Sequence, residues 1–233
     1  DAARALARIF HALGVDFAIL GVEEKEDGDS IRLAGEKGLF EKLAEANIKT
    51  FARYPFTRLV VFGPHELNAF KNEYPKLGGE YVVQHYTQFL VEHLDRLKAL
   101  MVHPVDRVVT YHDPCYLSRH NGEYDAPRTL LRAIPGLTLV EMPRNRENGY
   151  CCGGGGGGMW LDGFSRDHTT MRLSDKRVME AAETGARTLS ICCPYEVSRF
   201  EDAVKATGND GRLDVQDIAE LVDRSMGGPK AVS

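Results

Sequence analysis

Two adjacent cysteines run into six glycines, Cys151-Cys152-Gly153 through Gly158, a combination that suits a metal or cluster site better than a packed core. Glycine brings no side chain to pack and loses the most backbone entropy on ordering. An inorganic core held by thiolates would offset that cost, because glycines let the backbone close in and aim N–H groups at sulfur. Cys115 stands in Tyr111-His112-Asp113-Pro114-Cys115-Tyr116, and the last pair stands in Cys192-Cys193-Pro194-Tyr195-Glu196. All five cysteines therefore fall in three short, turn-like stretches. Four thiolates suffice for a cubane iron–sulfur cluster, and equally for zinc. Cys192 ends an apolar run, and for it core packing is the expectation.

The elements that would present these turns alternate. Residues 1–13 place Leu6, Ile9, Phe10 and Leu13 at helical spacing before Gly14, and 15–20 reads as a short buried strand. A polar, acidic turn at 23–30 precedes an amphipathic helix over 36–51 and a strand at 58–62. A strand at 81–84, a helix over 87–100 and a strand at 107–111 follow, the last leading directly into the Cys115 turn. Strands alternating with helices predict an α/β fold with mainly parallel strands.

From Asp125 the order repeats. Asp125-Ala126-Pro127-Arg128-Thr129-Leu130-Leu131-Arg132 echoes Asp1-Ala2-Ala3-Arg4-Ala5-Leu6-Ala7-Arg8, and Gly136 opens an apolar strand as Gly14 does. A helix over 166–183 and a strand at 189–192 complete the match. Cys151-Cys152-Gly153 then aligns with Glu26-Asp27-Gly28, and Cys193-Pro194-Tyr195-Glu196 with Gly63-Pro64-His65-Glu66. The expectation is two pseudo-symmetric Rossmann-like units, 1–104 without a cluster and 105–233 with one. The counterpart of Cys115 would precede Asp1, so the first unit is expected to lack its opening strand, as in a C-terminal part of a longer polypeptide.

At 233 residues, 43% hydrophobic and 27% charged, the composition is that of a globular protein with a full core. A net charge of −5 without a basic tract argues against nucleic-acid binding, and no apolar run is long enough for a transmembrane helix. The first residues carry no signal-peptide pattern. An odd number of clustered cysteines fits ligands in a reducing, cytoplasmic setting.

The order of one Cys, then Cys-Cys-Gly, then Cys-Pro resembles the CCG-domain family of iron–sulfur proteins. Tyr111-His112-Asp113-Pro114-Cys115-Tyr116-Leu117, Asp125-Ala126-Pro127-Arg128 and Glu141-Met142-Pro143-Arg144 ahead of Cys151-Cys152-Gly153 look most like its heterodisulfide-reductase-D-like branch. The resemblance implies an electron-transferring oxidoreductase subunit with one [4Fe-4S] cluster on Cys115, Cys151, Cys152 and Cys193. It also implies flavoprotein and iron–sulfur partners, and a membrane quinone-linked assembly to which the chain would be peripheral. Glu196 stands where the family has a further cysteine, which favours a cubane over a noncubane, disulfide-reducing centre. Glu196 is then either an oxygen ligand or an acid favoured at a helix start. A structural zinc module remains the third reading.

Around this set, His112, Asp113 and Gly153 are candidates for orienting and tuning the ligands, with a satisfied structural pair the equal alternative for His112 and Asp113. Glu26 and Asp27 read as solvated turn residues, and a zinc site with His65 and Glu66 is not expected. The glycine run matches no phosphate-binding pattern. Met159 and Trp160 are expected to shield the cluster from water.

Overall fold

A computed structural model of the protein describes residues 1–158 and 167–229. Six strands form two parallel sheets among the described residues. β1 (Leu59–Val61) pairs with β2 (Val83–His85). The other four are β3 (Arg107–Tyr111), β4 (Leu137–Val140), β5 (Thr188–Ile191) and β6 (Asp214–Asp217), in the order β4-β3-β5-β6. The α/β class with parallel strands is as the alternation predicts.

Helices cover both faces of the larger sheet, whose central strands β3 and β5 bury residues on each side. On one face Asp125–Ala133 and Ile218–Ser225 bury Leu130, Leu131, Ile218, Leu221 and Val222 against Val109 and Tyr111. On the other, Leu173–Glu183 and Pro194–Ala206 bury Val178, Ala181, Phe200 and Ala203 against Leu189 and Ile191.

The first of these cores does not stop at the end of the first half. Leu6, Ile9 and Phe10 of the helix Ala2–Ala12, and Phe89 and Leu90 of the helix Tyr86–Glu92, belong to the same cluster. Ala2–Ala12 packs on Ile218–Ser225, and Tyr86–Glu92 packs on Asp125–Ala133. By element order these two contacts are the same pair with the halves exchanged. The matching helices even start alike: His85 and Asp217 each cap their helix in a capping box, with Gln88 and Glu220 returning the bond.

Three elements differ from expectation. Residues 15–20 are not a strand: Phe17 is 41% and Ile19 83% exposed. A strand needs a hydrogen-bonding neighbour, and none lies beside this segment among the described residues, whereas β4 has β3. The helix expected over 87–100 breaks at His93, whose Nδ1 bonds the Phe89 carbonyl four residues back, leaving Tyr86–Glu92 and Leu94–Leu100. Of the helix expected over 166–183, residues 167–168 are helical, 169–172 interrupt it, and Leu173–Glu183 forms a separate helix.

Asp217 joins the halves in a second way, by accepting a hydrogen bond from Tyr86 Oη at 2.7 Å. Burial pushes its carboxyl up to about 7 from 3.8. Between these values the folded protein holds a proton that the unfolded chain releases, so this group's contribution to stability is lost as pH rises through about 7. Denaturant unfolding of the parent and of Asp217→Asn, which keeps a capping side chain, should show the parent losing ground as pH moves from about 5 to about 8. An identical difference at both pH values would reject this assignment.

Candidate functional site

The site lies at the carboxyl ends of β3 and β5. From β3 the chain turns back to β4 on one side, and from β4 it crosses to β5 on the other, so the strand order reverses between β3 and β5. In open parallel sheets this reversal opens the crevice where ligands bind. Cys115 follows β3, Cys193 follows β5, and Cys151 and Cys152 stand in the crossover between β4 and β5. The structure thus brings together all three cysteine stretches.

Each turn has a local cause. The Pro114 carbonyl accepts from Leu117 N, Ser118 N and Ser118 Oγ, which winds the chain back at Cys115. Cys193 is the N-cap residue of Pro194–Ala206, with Pro194 at the first helical position, where its missing N–H costs nothing. In the glycine run, Gly153 has φ +74, and a Cβ on Gly158 would stand 2.3 Å from the Gly153 carbonyl oxygen. A side chain at either position would force this loop open.

Cys115 and Cys151 are half-buried with their sulfurs 4.0 Å apart, and Cys152 and Cys193 are buried. Gly153 N–H donates to Cys151 Sγ at 3.3 Å and Gly154 N–H to Cys152 Sγ at 3.4 Å. Hydrogen bonds from Cys115 and Cys152, then the Gly153 N–H, hold the Cys151 thiol well below its usual range. The same bonds, with burial, push Cys115 and Cys152 up, and burial foremost raises Cys193. Binding of a metal centre would release the protons that these thiols carry.

Glu196 is the feature all four have in common. It lies in the first turn of Pro194–Ala206 and is 1% exposed. Its charge is felt by Cys115, Cys152 and Cys193, and the Cys151 charge acts on it in turn. Burial first, then Cys151, raises its carboxyl well above the usual range. Its Oε1 lies 3.2 Å from His112 Nε2, yet neither Glu196 Oε2 nor His112 Nε2 has a hydrogen-bond partner among the described residues. Buried polar atoms left unpaired at a set of four thiols fit a site that a further group completes. No three His, Cys, Asp or Glu side chains among the described residues are grouped to hold a single metal ion.

His112 is fully buried, and burial, then the nearby Arg177, pull its pKa well below the usual value. Asp113 anchors the Cys115 turn. It accepts from Arg128 Nη1 at 2.6 Å and Nη2 at 2.9 Å, and from Arg146 N at 2.7 Å. Arg128, itself fully buried, also binds Glu141 through Nε and Nη2. Arg119 donates to the Gly149 carbonyl, a second tie between the Cys115 turn and the approach to Cys151.

Of the remaining candidates, Cys192 is buried on the opposite side, its sulfur 3.2 Å from Tyr111 Oη within the larger core, as an apolar strand end suggests. Met159 and Trp160 lie outside the described residues. Asp27 departs from a solvated turn: it is half-buried, and burial pushes its carboxyl up to about 7, while Glu26 is exposed. His65 bonds Asp29 at 2.6 Å and stacks on Tyr116, so it serves as a clasp between the halves. Arg128, Arg177 and Arg199, which donates to the Cys152 carbonyl, cannot be singled out from sequence; a charged residue on an amphipathic helix carries no mark of burial.

Residues 109–195 match the CCG cysteine-rich domain family. Over 94% of its length the chain is 41% identical to a Bacillus subtilis protein named "Probable iron-sulfur-binding oxidoreductase FadF", covering 31% of that protein. It is 37% identical over 95% of its length to the EtfAB:quinone oxidoreductase of Syntrophomonas wolfei, covering 31% of it. To the D polypeptide of the dihydromethanophenazine:CoB–CoM heterodisulfide reductase of Methanosarcina barkeri it is 34% identical over 96%, covering 54%. The chain therefore spans about a third to a half of these relatives.

Proposed function

We propose, from the match of residues 109–195 to the CCG cysteine-rich domain family, that the chain is the cluster-bearing part of an iron–sulfur oxidoreductase subunit that relays electrons. Cys115, Cys151, Cys152 and Cys193 hold one [4Fe-4S] cluster in this reading, with Glu196 beside it as an oxygen ligand or a hydrogen-bonding neighbour. The carrying observation is the meeting of four cysteines from three segments around a buried carboxylate with an unpaired oxygen.

The bound cluster supplies one-electron chemistry. The chain's residues bury the sulfurs, aim Gly153 and Gly154 N–H groups at two of them, and lock the turns through Asp113 and Arg128. Names of the relatives support partners of the kind found there: an electron-transfer flavoprotein, a quinone pool or a disulfide acceptor. Among the described residues no helix is long and apolar enough to cross a membrane, so a membrane link would run through a partner or another part of the polypeptide.

The test is an anaerobic count of iron and acid-labile sulfide with EPR of both redox states. About four of each per chain, with a cubane signal, is expected. Glu196→Cys would then supply a fifth thiolate, and a noncubane spectrum in that variant alone would identify position 196 as the switch between relay and disulfide chemistry. Zinc without sulfide in the parent would sink the redox reading.

A further inference from the structure

Behind Glu196 stands a side chain that the cluster reading does not use. Arg177, on the helix Leu173–Glu183, is among the largest fully buried side chains. Its Nε donates to His112 Nδ1 at 3.0 Å, and its Nη1 donates to the Arg144 carbonyl at 2.6 Å and to Glu180 Oε2 at 2.7 Å. Glu180 is shared, since Arg144 Nε lies 3.1 Å from its other oxygen, so two guanidinium cations face one carboxylate. Arg177 Nη2 has no hydrogen-bond partner among the described residues.

An arginine has only donors, so His112 Nδ1 must accept, and a neutral imidazole then carries its proton on Nε2. That nitrogen lies 3.2 Å from Glu196 Oε1 without a hydrogen bond between them among the described residues. Three buried atoms without partners, Arg177 Nη2, His112 Nε2 and Glu196 Oε2, therefore lie along one line of contacts that ends at the site. Two of them are donors and one is a carboxyl oxygen, and each buried polar atom left unpaired costs stability unless a further group pairs it.

Resting on the cluster reading above, we infer that Arg177 is a positioning residue: it fixes His112 with an N–H toward Glu196 and the cysteines, and sets a buried positive charge behind that N–H. Both effects favour the more negative, reduced state of a thiolate-bound cluster, because a donor and a cation stabilise added electron density. Arg177 thus raises the reduction potential of the centre without touching it.

The experiment compares the parent with Arg177→Gln and Arg177→Lys. Iron and sulfide per chain are expected to stay the same, while the midpoint potential falls in Arg177→Gln. In Arg177→Lys, which keeps the charge but loses the planar fork, it falls less. Nitrogen-15 NMR of histidine-labelled parent protein is expected to show His112 protonated on Nε2, and a mixture of tautomers in Arg177→Gln. An unmoved potential with iron intact overturns the inference. If Arg177→Gln fails to fold, the parent's spectrum decides alone, and a proton on Nδ1 overturns it. Loss of the cluster reading is separately visible as a parent without iron, and leaves the tautomer measurement standing.

Discussion

Cys193→Ser, purified without oxygen, is expected to carry less than about one iron per chain where the parent carries about four. Cys193 is the buried N-cap residue of a 13-residue helix at the end of β5. Serine is nearly the same size and caps helices well, so the fold should persist and the loss should be confined to the metal. Cys192→Ser is the control from the neighbouring position. Its sulfur faces Tyr111 Oη in the larger core, and iron should stay at the parental level. Full iron in Cys193→Ser, or equal loss in both, would refute this ligand set.

Arg128→Met is expected to lower the unfolding free energy by about 3–5 kcal/mol, measured by denaturant titration. Methionine replaces the aliphatic bulk, but Asp113, 1% exposed, loses the guanidinium that neutralises it. The cost is that of an uncompensated buried charge rather than of a contact removed. Asp113→Asn in the same background should recover part of the loss, because it removes the stranded charge, and the coupling in the double-mutant cycle measures the pair itself. A loss below about 1 kcal/mol would mean that water reaches Asp113. The same variant should loosen the site, since Asp113 also binds Arg146 N ahead of Cys151.

Much of the site was legible because its cysteines sit at ends of elements. A strand of β-branched residues running into His112-Asp113-Pro114-Cys115, or into Cys192-Cys193-Pro194, declares its own turn, and parallel strands place such turns on one edge. Glu196 was visible by position but not by burial. Arg128 and Arg177 were invisible, because their roles depend on Asp113, Glu141 and His112, which lie on other elements. The segment 15–20 has the composition of a strand, and only the absence of a neighbouring strand among the described residues decides against it. The break at His93 likewise turns on one side-chain bond that helical periodicity does not register.

The exchanged packing of Ala2–Ala12 on Ile218–Ser225 and of Tyr86–Glu92 on Asp125–Ala133 separates two histories that usually travel together. Glu26, Asp27 and Gly63 stand where the second half carries Cys151, Cys152 and Cys193, and on the proposal that the halves are copies of one unit only the second holds the electrons. The apolar seam is not divided in this way, since each member completes its sibling's interior. On that proposal the turns of the first half are free to vary, while Leu6, Phe10 and Leu90, which lie in the shared core, tolerate little change.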